Sequence, residues 1–270
     1  TMAHGISQLE NRDWNFKRDV KVTGTFNRSP DRYYLEEFFE KRPALNAVFA
    51  PALTGNDAAD AAEIVALNIA NSNFEILGTN GVTASVTFSA TRAGIVLTTA
   101  GADNDQVIIL PHLDTNQTAW QVVEWGTENQ VVWECAISTG TEVTAGVLLW
   151  AGLKLTNTPT IATDNDQVYF RFSTDDSDTT WRAISSISGT DTNTDTGVTV
   201  AAATIYKFKI AIASDRTAQF FINDVSVYKT TALANDIDLI PYVGIQCLDA
   251  TPSAQAVTLH YEKISRILFE

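Results

Sequence analysis

The sequence predicts an all-β protein, an antiparallel sandwich or barrel, with an N-terminal arm and a short helix ahead of it. Three observations carry the prediction. Short apolar–polar runs alternate with a period of two, the mark of strands with one buried face. Clusters of Gly, Asn, Asp and Thr separate these runs. The stretch from Tyr206 to Lys229 shows both together. Tyr206, Phe208, Ile210 and Ile212 alternate with Lys207, Lys209, Ala211 and Ala213, and two short turn signals then make a three-strand meander.

The N-terminal region differs from the rest. Trp14 and Phe16 stand among charged residues, and the short strand that follows carries Val20 and Val22. Aromatics in so polar a segment need a surface to bury on. Ser29, Pro30 and Asp31 read as N-cap, first helical position and first turn. The helix is expected from Asp31 to Lys41, with Tyr34, Leu35, Phe38 and Phe39 near one face. Residues 44–60 read as a linker, and the Ala-rich 58–70 as a second helix.

From Phe74 onward the expected elements are strands, at 74–77, 83–89, 94–99, 107–110, 130–138, 144–155 and 167–173. The series continues at 206–213, 217–222, 225–229, 242–248 and 256–267. Ser173 to Thr180 and Ser188 to Thr196 read as exposed loops. The chain thus divides into an arm, residues 1–72, and a β head, residues 73–270.

Charge follows the same division. The whole chain has 18 Lys/Arg and 32 Asp/Glu, a net −14, which argues against nucleic acid as a partner. Residues 1–45 hold eight basic and seven acidic side chains, against ten and twenty-five in residues 46–270. The arm therefore has a different solvent preference from the acidic head, as a docking segment would. No apolar run approaches the roughly 18 residues of a membrane helix, and the N-terminus lacks the apolar stretch of a signal peptide. Cys135 and Cys247 lie in apolar strand patterns and read as buried thiols, although the sequence leaves their pairing open.

Few residues suggest chemistry. Asp103-Asn104-Asp105-Gln106-Val107 recurs as Asp164-Asn165-Asp166-Gln167-Val168, each time ahead of a strand. The motif is good turn chemistry used twice. The second reading is a Ca²⁺ site using Asp103, Asp105, Asp164 and Asp166, whose carboxylates at i and i+2 suit that ion. His4, His112 and His260 fit no zinc-ligand spacing. Strict alternation puts His260 outward on the last strand with Thr258 and Glu262, opposite Val257, Leu259 and Tyr261. No nucleophile elbow or phosphate-binding glycine loop occurs. Glu124, Glu128 and Glu134 gather around Trp125 and Trp133. Alternation turns Trp133, Cys135 and Ile137 to one face and Glu134 to the other, which reads as a tryptophan core with solvated glutamates. Trp120 or Trp125 could instead serve as a stacking platform for a sugar.

Trp133-Glu134-Cys135-Ala136-Ile137, Ala151-Gly152-Leu153, the meander through Phe220-Phe221-Ile222-Asn223-Asp224 and the final Leu259-His260-Tyr261 resemble the concanavalin A-like lectin/glucanase jelly roll. The resemblance covers about residues 73–270 and implies a two-sheet antiparallel jelly-roll sandwich, with the last strand beside the first. It does not bring the glucanase chemistry, because the family's Glu-x-Asp-x-x-Glu strand is absent. Asn73 to Asn80, Thr99 to Asp103 and Pro111 to Gln117 are similar in style to structural proteins of tailed phages. That likeness implies a non-enzymatic virion structural protein, a homo-oligomer with a trimer as the expected form. Its arm would dock on a capsid protein or sister subunit through Trp14, Phe16, Val20, Val22, Tyr34 and Phe38, leaving a lectin-like head outside. On that reading there is no catalytic residue and no cofactor beyond the Ca²⁺ alternative. The alternatives are a module that adsorbs to host-surface glycan through Trp120 or Trp125, and a polysaccharide-active enzyme using Glu134.

Overall fold

The computed structural model describes residues 32–40, 43–45, 71–79, 85–91, 93–111, 125–156, 164–248 and 254–268. These residues form strands and no α-helix. In order the first are β1 (Arg32–Glu37), β2 (Pro43–Leu45), β3 (Asn71–Leu77), β4 (Val86–Phe88), β5 (Ile95–Thr98) and β6 (Gln106–Pro111). Then come β7 (Val132–Thr139), β8 (Val147–Lys154), β9 (Gln167–Ser173), β10 (Thr180–Ile187) and β11 (Thr190–Thr199). The last are β12 (Ile205–Ile212), β13 (Thr217–Ile222), β14 (Val225–Ala232), β15 (Ile240–Cys247) and β16 (Ala256–Ile267).

They build a two-sheet sandwich. The front sheet runs β14-β13-β12-β7-β16-β5-β4, with β1 added along the second half of β16. The back sheet runs β11-β10-β9-β8-β15-β6-β3-β2. The described pairings are antiparallel except β2 with β3. The expected all-β antiparallel sandwich is therefore the observed fold. The meander β12-β13-β14 stands as read, and its second turn, Asn223-Asp224, takes positive φ at both residues, the two-residue turn that matches strand twist.

Aromatic rings fill the space between the sheets. Phe170 of the back sheet stacks on Phe208 of the front sheet at 4.5 Å, and Phe220 meets it edge-on at 5.1 Å. Trp181 contributes an edge to Phe208 at 4.7 Å and to Tyr206 at 5.3 Å. These side chains are fully buried, and such rings carry the largest apolar areas a core can bury.

Three expectations are corrected by the fold. The helix expected from Asp31 to Lys41 is strand β1 through Glu37, pairing Arg32 with Ile267 and Glu37 with Glu262. A lone eleven-residue helix is marginal in water. The open edge of β16 instead supplies a hydrogen-bond ladder, and Tyr33-Tyr34-Leu35 suits a strand. The loop expected at Ser188 to Thr196 is a hairpin: Ser188 and Gly189 take positive φ and turn β10 into β11. The third correction concerns β16. A bulge between Leu259 and Tyr261 inserts one residue, so alternation inverts beyond it. Tyr261 faces out and Glu262 faces in, the reverse of a strict alternation. The Ala-rich 58–70 and the strand at 20–26 lie outside the described residues.

Candidate functional site

The outward face of the back sheet buries polar side chains that a solvated sheet face would leave in water. Strand register sets the grid. Leu149, Ala151 and Leu153 of β8 point into the core, so Leu148, Trp150, Gly152 and Lys154 point out. Beside them β9 places Ser173, Arg171, Tyr169 and Gln167, and on the other side β15 places Gln246, Gly244, Tyr242 and Ile240. Strand β10 sets Arg182 beside Arg171 and Ser186 beside Gln167.

Two glycines shape the centre. A Cβ on Gly244 would lie 2.7 Å from Trp150 Nε1, so the glycine makes room for the indole. A Cβ on Gly152 would lie 2.5 Å from the Val168 carbonyl oxygen, so this glycine lets β8 and β9 close up. Trp150 then stacks on Tyr242 with ring centroids 5.8 Å apart.

Lys154 closes the grid at the end of β8. Its side chain is fully buried, with Nζ 3.7 Å from Asp164 Oδ2 and 4.5 Å from the Tyr242 ring centroid. Burial lowers its pKa to about 8, opposed by the Asp164 carboxylate. Asp164 also accepts the Thr156 backbone N–H at 2.8 Å and the Thr156 hydroxyl at 2.7 Å. The tyrosines shift the other way: burial raises Tyr169 to about 12 and lifts Tyr242 as well. A lysine close to neutrality beside two tyrosines that keep their protons can take one proton and give another.

The face opens toward β10 and β11. Arg171 pairs with Asp176 at 3.0 Å and Asp178 at 3.3 Å, and Arg182 with Asp195 at 3.0 Å. Arg182 also lies 3.4 Å from Asp178, whose pKa burial raises despite both arginines. Gln106 Oε1, Gln167 Oε1, Ser186 Oγ and Arg171 Nε are buried without a hydrogen-bond partner among the described residues. Each such atom costs about 1–3 kcal/mol, and together they leave bonding capacity for a ligand rich in oxygen atoms.

The residues expected from sequence fare differently. Trp125 is fully buried with Tyr33 at 5.7 Å, so it presents no stacking face. Trp120, Trp14, Phe16, Val20 and Val22 lie outside the described residues. Tyr34 is half-buried on β1, and Phe38 is exposed, with its ring 6.1 Å from Tyr261. Glu134 does face away from Trp133, but it is buried in an ion pair with Lys263 at 2.8 Å rather than solvated. The two Asp-Asn-Asp segments act as turns: Asp105 accepts the Ala102 N–H and Asp166 the Ser188 N–H. Asp164 is committed to Lys154 and Thr156. Among the described residues no three His, Cys, Asp or Glu side chains gather as metal ligands. Cys135 and Cys247 are both buried and are not joined in a disulfide.

The Lys154 grid was missed by sequence reasoning. Its signals were a lysine closing an apolar strand, Val147 to Lys154, and mid-strand glycines at 152 and 244.

No protein-family profile matches the sequence, and no curated protein matches it. Solved structures do. An alginate lyase, A1-II′ of polysaccharide lyase family 7 solved with its product, superposes with a TM-score of 0.52 at 14% identity. It covers 72% of this chain and 95% of its own. The Bacillus licheniformis β-glucanase gives 0.51 at 11% identity, over 73% of this chain and 94% of its own. A Shewanella oneidensis protein of unknown function gives 0.55 at 12% identity, over 94% of this chain and 95% of its own. Likeness at these identities establishes the jelly-roll sandwich fold that the sequence resembled. It also corrects the functional expectation. Neighbours with a stated activity include alginate lyases and glycoside hydrolases, which favours the alternative of a polysaccharide-active enzyme over a non-enzymatic virion structural protein.

Proposed function

We propose that the chain is a carbohydrate-active enzyme that cleaves an acidic polysaccharide by elimination on the outward face of the back sheet. The observation that supports this reading most is Lys154, lowered to about 8 and set between the Tyr242 ring and Asp164. The fold neighbours include alginate lyases, so an eliminating enzyme on this scaffold has precedent.

Elimination from a uronate removes the proton beside the carboxyl group, neutralises that carboxylate, and protonates the departing glycosidic oxygen. Lys154 in its neutral form takes the proton. Tyr242 or Tyr169 gives one to the leaving oxygen, as a phenol with a raised pKa remains protonated to do. Arg171, through its unpartnered Nε–H, holds the carboxylate. Substrate approaches from the open end, where Arg171 and Arg182 are partly exposed. Hydrolysis fits less well. It needs two carboxyl groups across one bond, about 5 Å apart for retention, and the buried carboxylates of this face are already engaged, Asp164 by the Thr156 N–H and hydroxyl and Asp178 by Arg171.

The test is incubation of the full chain with a panel of uronate-containing and neutral polysaccharides. Elimination leaves an ultraviolet-absorbing double bond on one new end, whereas hydrolysis creates reducing ends without it. Absorbing ends from a uronate polymer are expected. Reducing ends alone, or no cleavage across the panel, would reject the reading.

A further inference from the structure

The opposite face of the sandwich carries a second group of reactive side chains. Ser138 lies on β7, on the outward side with Glu134 and Ala136. His260 is the residue inserted at the β16 bulge. Ser138 Oγ lies 2.7 Å from His260 Nε2, and His260 Nδ1 lies 2.7 Å from the Ala93 carbonyl oxygen. A carbonyl oxygen only accepts, so Nδ1 carries the ring proton. Nε2 of the neutral ring is then the acceptor, and the Ser138 hydroxyl donates to it. The serine proton is thereby aimed at a base, and the base is oriented by a third group, which is the signature of an activated nucleophile.

The backbone builds this arrangement. The bulge frees His260 from strict alternation and swings its ring over β7. Gly94, at φ 116°, lies so close that a Cβ would sit 2.2 Å from the Leu259 carbonyl oxygen. Only glycine lets the segment carrying Ala93 approach the imidazole. Both side chains are partly exposed. Register sets Thr258 and the exposed Ile205 on either side of Ser138. An open face with one aliphatic neighbour suits a short acyl group rather than a long chain.

We infer that Ser138 and His260 form a nucleophilic dyad that hydrolyses esters of short carboxylic acids. Ser138 Oγ adds to the ester carbonyl carbon while its proton passes to His260 Nε2. The bond from that carbon to the alkoxy oxygen breaks, and the alcohol leaves with the proton from Nε2. Water then adds to the acyl-serine, giving a proton to Nε2, and the acid departs as Ser138 regains its proton.

The experiment labels the full chain with a fluorophosphonate, identifies the modified peptide by mass, and follows 4-nitrophenyl acetate hydrolysis. Ser138 is expected to carry the label. His260→Gln is expected to slow both labelling and hydrolysis by about a hundredfold, with an unchanged melting curve. Lys154→Met should leave both rates intact, which separates this site from the one on the back sheet. An unlabelled Ser138 in the folded wild-type chain, or labelling at the same rate in His260→Gln, would overturn the inference.

Discussion

Glu262 is fully buried in the sandwich core, where Trp133 Nε1 donates to its Oε1 at 2.8 Å. Burial raises its pKa from 4.5 to about 8, against the Trp133 hydrogen bond, which lowers it. The folded protein thus holds this proton more tightly than the unfolded chain does. Its stabilising contribution is full below about pH 4.5 and is lost as pH rises to about 8. Glu262→Gln keeps an acceptor for Trp133 and cannot ionise. Melting curves across pH should show the variant melting roughly 5 °C above wild type at the alkaline end, with the gap closing toward pH 4.5. Lys154 obeys the opposite rule. Its depressed pKa makes the charged form costly, so that penalty is relieved as pH rises from about 8 toward 10.5. The same ionisation governs the proposed chemistry, so the elimination rate should climb with pH and level off above about 8. Sequence alone did not reveal either residue. Alternation assigned Glu262 outward because one bulged residue is invisible in an apolar–polar pattern. Lys154 ends a run of apolar residues, where a lysine ordinarily reaches water.

At the scale of elements, β1 shows how tertiary pairing overrides local signals. Ser29-Pro30-Asp31 is a sound helix start, yet the residues after it ladder onto β16. Phe39, just past β1, is buried edge-on to Phe74 at 5.4 Å, while its neighbour Phe38 is 51% exposed. Phe39→Ala should therefore cost about 3–5 kcal/mol, and Phe38→Ala within about 0.5, by denaturant unfolding. Equal, small effects would mean that this segment is not packed on the sandwich. The β10–β11 hairpin was hidden for a different reason. Thr, Asp and Asn dominate β11, an edge strand with its polar side chains in water, and that composition reads as loop. The meander was legible because its inward faces are aromatic or β-branched and its turns carry Asn and Asp. Gly152 tests the close approach of β8 and β9. Gly152→Ala puts a Cβ 2.5 Å from backbone atoms of Val168 and Tyr169, which cannot yield as a flexible side chain would. A loss of about 1–3 kcal/mol is expected in the same unfolding measurement.

The whole molecule presents two unlike faces on one sandwich. The back sheet turns a buried lysine, two tyrosines and two arginines outward, whereas the front sheet carries the Ser138–His260 pair and the Glu134–Lys263 ion pair. The fold class was readable because period-two alternation is repeated in strand after strand, so single misreadings do not alter it. The site was not, because its residues come from β8, β9 and β15 and meet only through register. Lys154 is the base of the proposed elimination. The direct measurement is the release of ultraviolet-absorbing ends from a uronate polymer by wild type, Lys154→Met and Tyr242→Phe, with melting curves for each. Wild type should release them, and folded Lys154→Met should be slower by about a hundredfold or more. Tyr242→Phe, which keeps the ring beneath Lys154, should also be slowed. Release at the wild-type rate by folded Lys154→Met, or no absorbing ends from wild type, would contradict the account.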